Sequence, residues 1–159
     1  MLRKAPNFKL LDQDGVEHKL SDYSGNWLVV FFYPMDNSVN CTKEACAFRD
    51  EHAIIAQFGN AGVIGINKGS VASHKKFAVK NHLNFPVLSD PAHKVTQAYG
   101  AWQENRAQAF FDKPFSTRRN TYIINPESEI VKEFIGIKAA NHVDDVIHNL
   151  QSLQKLVSA

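Results

Sequence analysis

Two periods of apolar and polar residues alternate along this chain. Phe8–Leu11 and Val16–Lys19 flank Asp14-Gly15, a turn signal, and predict an N-terminal β-hairpin. Ser21–Gly25 reads as a loop or short turn. Trp27–Tyr33 is almost continuously apolar, as a central strand covered on both faces would be. From Cys41 to about Phe58 the pattern turns helical, with Ala45, Phe48, Ile55 and Phe58 as apolar positions and Gly59-Asn60 as the stop. Gly62–Asn67 predicts a second buried strand. Ser70, with Ser73 as an alternative, caps a helix over Val71–Asn81. A short strand at Phe85–Leu88 precedes a helix over Pro91–Tyr99 that Gly100 ends. Ala101–Thr117 shows no clear period. Arg119–Asn125 and Ile130–Ile135 predict an antiparallel pair joined by Pro126-Glu127-Ser128. The chain closes with an amphipathic helix over His142–Val157, capped by Asn141, whose stripe is Val143, Val146, Ile147, Leu150, Leu153 and Leu156.

This order predicts an α/β fold with a mixed central sheet, helices on both faces and the β-hairpin as an N-terminal extension, a thioredoxin-like arrangement. One domain is expected over residues 1–159, with no repeat, low-complexity stretch or linker. Architecture of this kind does not assign a function.

Composition narrows the classes. Apolar residues make up 44% and charged residues 21%, and the net charge is +2. Basic runs such as His74-Lys75-Lys76 and Arg118-Arg119 are too short for a nucleic-acid footprint, so no nucleic-acid partner is expected. No apolar run reaches the roughly 18 residues of a membrane span. The start, Met1–Pro6, has charge without a following apolar stretch, so no secretory signal is expected and the cytoplasm is the expected compartment. The seven histidines are scattered, without metal-ligand spacing, and most are expected in solvent. No metal or cofactor is expected.

The candidate chemistry lies in the two cysteines, Cys41 and Cys46. They are too few for a disulfide framework. Cys41 falls where the buried strand gives way to a helix, and the partial positive charge of a helix N-terminus favours a thiolate. Cys46 follows on the same helix. Ideal helix geometry places their Cα atoms roughly 8.6 Å apart. A disulfide needs about 4.4–6.8 Å, so bonding would require the first turns, around Ser38–Arg49, to unwind.

A wider set of residues fits a known family. Phe32-Tyr33-Pro34 leads into Pro34-x-x-x-Ser38-x-x-Cys41, then Cys41-Thr-x-Glu44-x-Cys46-x-Phe48-Arg49-Asp50. Ala5-Pro6-x-Phe8, Ser70-x-x-Ser73-His74-Lys-Lys-Phe77, Phe85-Pro86-x-Leu88-Ser-Asp90, Tyr99-Gly100-x-Trp102 and Arg119-x-Thr121-Tyr-Ile-Ile follow in order. Together they resemble a peroxiredoxin, and within that family the Q-type, or bacterioferritin comigratory protein, group.

The resemblance implies a peroxidase that reduces hydrogen peroxide and organic hydroperoxides with electrons from thioredoxin or a similar dithiol donor, in antioxidant defence. It implies Cys41 as peroxidatic and Cys46 as resolving cysteine, joined as an intrachain disulfide. Pro34, Ser38 and Arg119 would complete the pocket, with Glu44 a candidate to orient Arg119. An intrachain partner predicts a monomer or weak homodimer. The group usually carries Thr-Pro-Gly before its reactive cysteine, whereas this chain has Ser38-Val39-Asn40. Val39 lacks proline's fixed φ, and Asn40 reaches positive φ less freely than glycine.

Taken singly these residues have plainer readings. Ser38 would be a helix or turn cap, Arg119 a surface ion pair and Cys46 a buried helix residue. Trp102 and Gln103–Thr117, with Phe110-Phe111 and Phe115, would rim the pocket or fold back onto the domain. A thiol–disulfide exchange protein or redox sensor on the same fold is the alternative function, although the reductase's Cys-x-x-Cys pair is absent.

Overall fold

A computed structural model describes residues 2–55, 60–104, 115–137 and 142–158, with side chains given except at Glu104, Phe115, Ser116, Val157 and Ser158. Among the described residues, ten strands and four helices follow in the order β1 (Arg3–Lys4), β2 (Lys9–Leu11), β3 (Glu17–Lys19), β4 (Trp27–Phe32), α1 (Val39–Ile55), β5 (Ala61–Asn67), α2 (Val71–Lys80), β6 (Val87–Ser89), α3 (Lys94–Tyr99), β7 (Trp102–Glu104), β8 (Phe115–Thr117), β9 (Thr121–Ile124), β10 (Glu129–Phe134) and α4 (His142–Ser158). Eight of them form one mixed sheet in the order β1-β10-β9-β4-β5-β6-β2-β3. Strands β4, β5 and β6 run parallel, and the flanking pairs are antiparallel.

Strand β4 explains the layering. All six of its residues are buried, and neighbours along it point to opposite faces. Trp27, Val29 and Phe31, continued by Tyr33, pack with Cys41, Ala45 and Phe48 of α1, Phe77 of α2 and Val143, Val146, Ile147 and Leu150 of α4. Leu28, Val30 and Phe32 pack with Val95 and Tyr99 of α3 and with Ala5, Phe8 and Leu20 of the N-terminal segment. The helices therefore cover both faces, three on one and the shortest on the other. Gly65 on β5 leaves room for the Phe31 ring: a Cβ there would meet that ring at 2.9 Å. The ring in turn stacks on Phe48 at 4.5 Å and so seats α1 on the sheet.

The hairpin, both central strands, α2, the β9–β10 pair and α4 lie where the periodicity predicts. Several details differ. Helix α1 begins two residues early, at Val39, because Ser38 supplies the cap. The segment after Leu20 is a 3-10 turn over Leu20–Tyr23. Helix α3 starts only at Lys94, since His93 takes a left-handed φ of 48°. Strand β6 sits at Val87–Ser89, its register set by β5. The aperiodic stretch holds the antiparallel pair β7–β8. Strand β1, too short to leave a pattern, pairs with β10. Leu156 is 76% exposed, so the buried part of the α4 stripe does not extend that far. Phe58 and the Gly59 half of the predicted Gly59-Asn60 stop, the Asn141 cap, the Phe110-Phe111 pair and the Phe115 side chain lie outside the described residues, whereas Asn60 has a left-handed φ of 49°.

Candidate active site

The loop from Pro34 to Ser38 connects β4 to α1. Asn37 turns it with a φ of 66°. Ser38 then caps the helix: its Oγ accepts from the Cys41 N–H at 3.2 Å, and its carbonyl accepts from the Thr42 N–H at 2.9 Å. The Ser38 hydroxyl itself donates to the Met35 carbonyl over a long 3.5 Å. Val39 and Asn40 are the first two residues of α1, and Asn40 is not among the residues with positive φ. The departures from proline at Val39 and from glycine at Asn40 therefore fall within the helix and not in a loop before it, and neither calls for positive φ.

Cys41 occupies the first turn of α1 with no exposed surface. Arg119, just before β9, donates from Nη2 to Cys41 Sγ at 3.2 Å and from Nη1 to Glu44 Oε1 at 2.8 Å. Glu44 stands one turn along α1 and is fully buried, so it is not an exposed helix-start carboxylate, the plainer reading of its sequence position. The Glu44 carboxylate fixes the plane of the guanidinium, and the planar fork directs its second arm at the sulfur. Burial opposes the charge on Arg119, but Glu44 and the Cys41 sulfur outweigh it and push its pKa above the ordinary arginine value. Behind Glu44, His142 of α4 brings Nε2 to 3.1 Å from Oε2, an ion-pair distance without a hydrogen bond between them.

A second buried cluster holds the base of the loop. Asp36 accepts from the Tyr33 hydroxyl at 2.7 Å and from Ser73 Oγ at 2.6 Å, and His74 Nδ1 lies 2.6 Å from it. Burial works to raise the Asp36 pKa, yet the bonds from His74, Ser73 and Tyr33 prevail and hold it below the ordinary carboxylate value. Burial, with Asp36 close by, drives the Tyr33 phenol well above its usual value. Asn67 of β5 donates to the Tyr33 carbonyl at 2.6 Å. The chain on either side of half-buried Pro34 is thereby tied to β5 and α2.

The sequence-predicted residues thus fall into two sets. Ser38, Cys41 and Arg119, with Glu44, meet in one cluster, and Pro34 begins the loop that leads to it. Cys46 does not join them. It lies half-buried one and a half turns further along α1, beside Arg49 and Asn81. Both thiols are free. Asp36, Arg49 and His142 were not singled out by sequence reasoning. Asp36 had a signal in its place between Pro34 and the helix cap, and Ser73-His74 had one as a motif without an assigned partner. Of the seven histidines expected mostly in solvent, only His82 and His148 are exposed; His18, His52 and His93 are half-buried, and His74 and His142 are buried, each within 3.1 Å of a carboxylate. Among the described residues no cluster of His, Cys, Asp and Glu is suited to hold a metal ion.

This arrangement can hold sulfur as an anion, shield it from bulk water and offer cationic donors to a second ligand beside it. The AhpC/TSA family model matches residues 1–133. Peroxiredoxin Bcp of Bacillus subtilis is 35% identical over 153 residues, covering 96% of each chain. The structure of Xanthomonas campestris Peroxiredoxin Q superposes with a TM-score of 0.84 at 28% identity, covering 91% of this chain and 90% of that one. A trapped intermediate/ligand complex of Xanthomonas campestris bacterioferritin comigratory protein, concerned with alkyl peroxide reduction, gives 0.81 at 28% identity over the same shares.

Proposed function

The chain belongs to the AhpC/TSA family, in its Bcp/PrxQ group of peroxiredoxins, and from that premise we propose how its residues divide the work. As a peroxiredoxin it is a thiol peroxidase, an oxidoreductase that reduces hydroperoxides with electrons from a thiol donor. Recycling by thioredoxin and an intrachain pair of cysteines are general in this group. The alternatives of an exchange protein or a non-catalytic sensor are displaced by that membership.

In this reading Cys41 is the peroxidatic cysteine. Its thiolate attacks one oxygen of the hydroperoxide, the O–O bond breaks, Cys41 becomes a sulfenic acid, and the alkoxide or hydroxide leaves and takes a proton. The observation that carries the assignment is Arg119, bound at once to Cys41 Sγ and Glu44 in a buried cluster at a helix start. A fixed guanidinium next to the sulfur stabilises the thiolate and can then hold the substrate oxygen on which charge develops. The Cys41 N–H is engaged by Ser38 Oγ, so the donor that Ser38 offers the peroxide is its own hydroxyl, released from the long bond to Met35. Pro34 lines the approach and limits water.

Cys46 is the resolving cysteine, and the first turns of α1 unwind to let the two sulfurs meet. A cytoplasmic setting, thioredoxin as the physiological dithiol donor, a monomer or weak homodimer, and one domain over residues 1–159 complete the proposal. A coupled assay with thioredoxin, its reductase and NADPH tests it. NADPH consumption driven by peroxide should continue in the wild type and vanish in Cys41→Ser. Consumption that survives this change would refute the assignment.

A further inference from the structure

Cys46 has an electrostatic site of its own, and the Cys41 cluster does not account for it. Arg49 sits three residues along α1 and brings Nη1 to 3.6 Å from Cys46 Sγ. The same Nη1 donates to the Asn81 carbonyl at 2.7 Å. The Cys46 thiol points at Asn81 Oδ1 over 3.8 Å, and Asn84 Nδ2 donates to the Arg49 carbonyl at 3.1 Å. Asp50 pairs with the other edge of the guanidinium, through Nε and Nη2 at 3.0 Å each. Among the described residues, the charged and polar groups bonded to Cys46 and Arg49 are thus Asp50 from α1 and the neutral amides Asn81 and Asn84 from the connection between α2 and β6.

We infer that Arg49 is the activating residue of the resolving step: it stabilises the Cys46 thiolate that attacks the Cys41 sulfenic acid. This rests on the assignment of Cys46 as resolving cysteine. In that step the Cys46 thiolate forms the S–S bond, the S–O bond of the sulfenic acid breaks, and hydroxide leaves and takes a proton to become water. The Cys46 sulfur is oxidised and the Cys41 sulfur reduced. The anchoring also sets which sulfur travels. Arg49 is tied to residues 81 and 84 on a separate element, so the Cys46–Arg49 end of α1 stays seated. Unwinding from Ser38 carries Cys41 to a nucleophile that keeps its cation throughout.

The test follows the two steps separately by rapid acid quench and mass spectrometry, with dimedone trapping the sulfenic acid. In Arg49→Met, conversion of sulfenic acid to disulfide should slow by about tenfold, the size of one charge-assisted hydrogen bond. Oxidation of Cys41 by peroxide should change far less. The longer-lived sulfenic acid should also make Cys41 over-oxidise to the sulfinic form at correspondingly lower peroxide. Arg49→Lys should recover part of the lost rate. The deficit of Arg49→Met should close as pH rises past about 8.5, where an ordinary thiol ionises unaided; a packing defect would not close in this way. If Arg49→Met leaves the resolving rate unchanged, or speeds it because the arginine only clamps the helix, the inference is overturned. If Cys46→Ser still cycles with thioredoxin at the wild-type rate, the assignment of Cys46 itself fails, a result distinct from either.

Discussion

Cys41 and Cys46 lie five residues apart on one helix, yet each keeps its arginine at a very different distance along the chain. The arginine on Cys41 comes from 78 residues away, and the carboxylate that orients it is itself buried. The arginine on Cys46 comes from the next turn of the same helix, with 29% of its side chain exposed. A partner from another element is lost when the helix unwinds around its sulfur, whereas a partner from the adjacent turn, itself anchored to Asn81 and Asn84, stays beside its sulfur. The first arrangement suits a group that must be reactive only while the pocket is closed. The second suits one that must stay reactive while the pocket opens.

The most severe way to break this comparison is Arg119→Met. Loss of one donor fixed on the charge of the transition state lowers rates by about 10²–10³. The oxidation of Cys41 by peroxide, followed by stopped-flow, should fall by that order. The substitution also strands Glu44 without its cation, at a cost of about 3–5 kcal/mol if the structure does not relax. Glu44→Gln separates the two effects. It keeps Arg119 near the sulfur without the charge that fixes its plane, and it should lose activity by a smaller factor than Arg119→Met. Equal oxidation rates in Arg119→Met and the wild type would remove the distinction between the two cysteines.

A smaller effect tests the hinge between them. Asp36 anchors the loop just ahead of the unwinding segment through three partners, Tyr33 just after β4 and Ser73 and His74 of α2. Asp36→Asn should lower stability by about 3 kcal/mol, as breaking a buried pair does, measured by urea unfolding at neutral pH. The pH dependence has a definite sign. The folded value of the Asp36 carboxyl lies below that of the unfolded chain, so its contribution is fully present above the unfolded value of about 3.9 and is lost as pH falls through the folded one. Asp12 behaves alike: burial would raise its pKa, but bonds from His18 and from the Val16 and Asp14 amides lower it. Wild-type stability should therefore drop in the acid range below about pH 4, and Asp36→Asn should flatten that slope.

Much of this was legible in the amino-acid sequence, for reasons that can be stated. Strand β4 and helices α1, α2 and α4 leave strong periodic patterns because each buries a face, and the residues of the Cys41 cluster fall in one ordered motif. What sequence could not supply was pairing at long range. That Glu44 is buried depends on Arg119 and α4, and that Ser73-His74 serves Asp36 depends on the crossing of α2 over the loop. Nothing local to either residue encodes those contacts. Short strands such as β1 and β7, at two and three residues, are made by their partners and carry no period of their own.

The smallest expected effect concerns Val39, where this chain departs from the proline of its group. Val39 is the first residue of α1, 70% exposed, with Ser38 capping ahead of it. Proline suits that position: its φ is already helical, and the N–H it lacks is one that a helix start leaves unpaired. Val39→Pro should thus be accepted without strain and should stabilise the folded protein by about 0.4–1 kcal/mol, chiefly by restricting the unfolded chain. The same restriction acts on the locally unwound state in which Cys41 meets Cys46. Thermal unfolding should move up by a few degrees, and the resolving step should slow by roughly twofold to fivefold if that state is as free at Val39 as the unfolded chain. A variant that gains stability with no change in disulfide formation would place the unwinding after Val39. The moving segment would then be confined to the turns between Asn40 and Cys46.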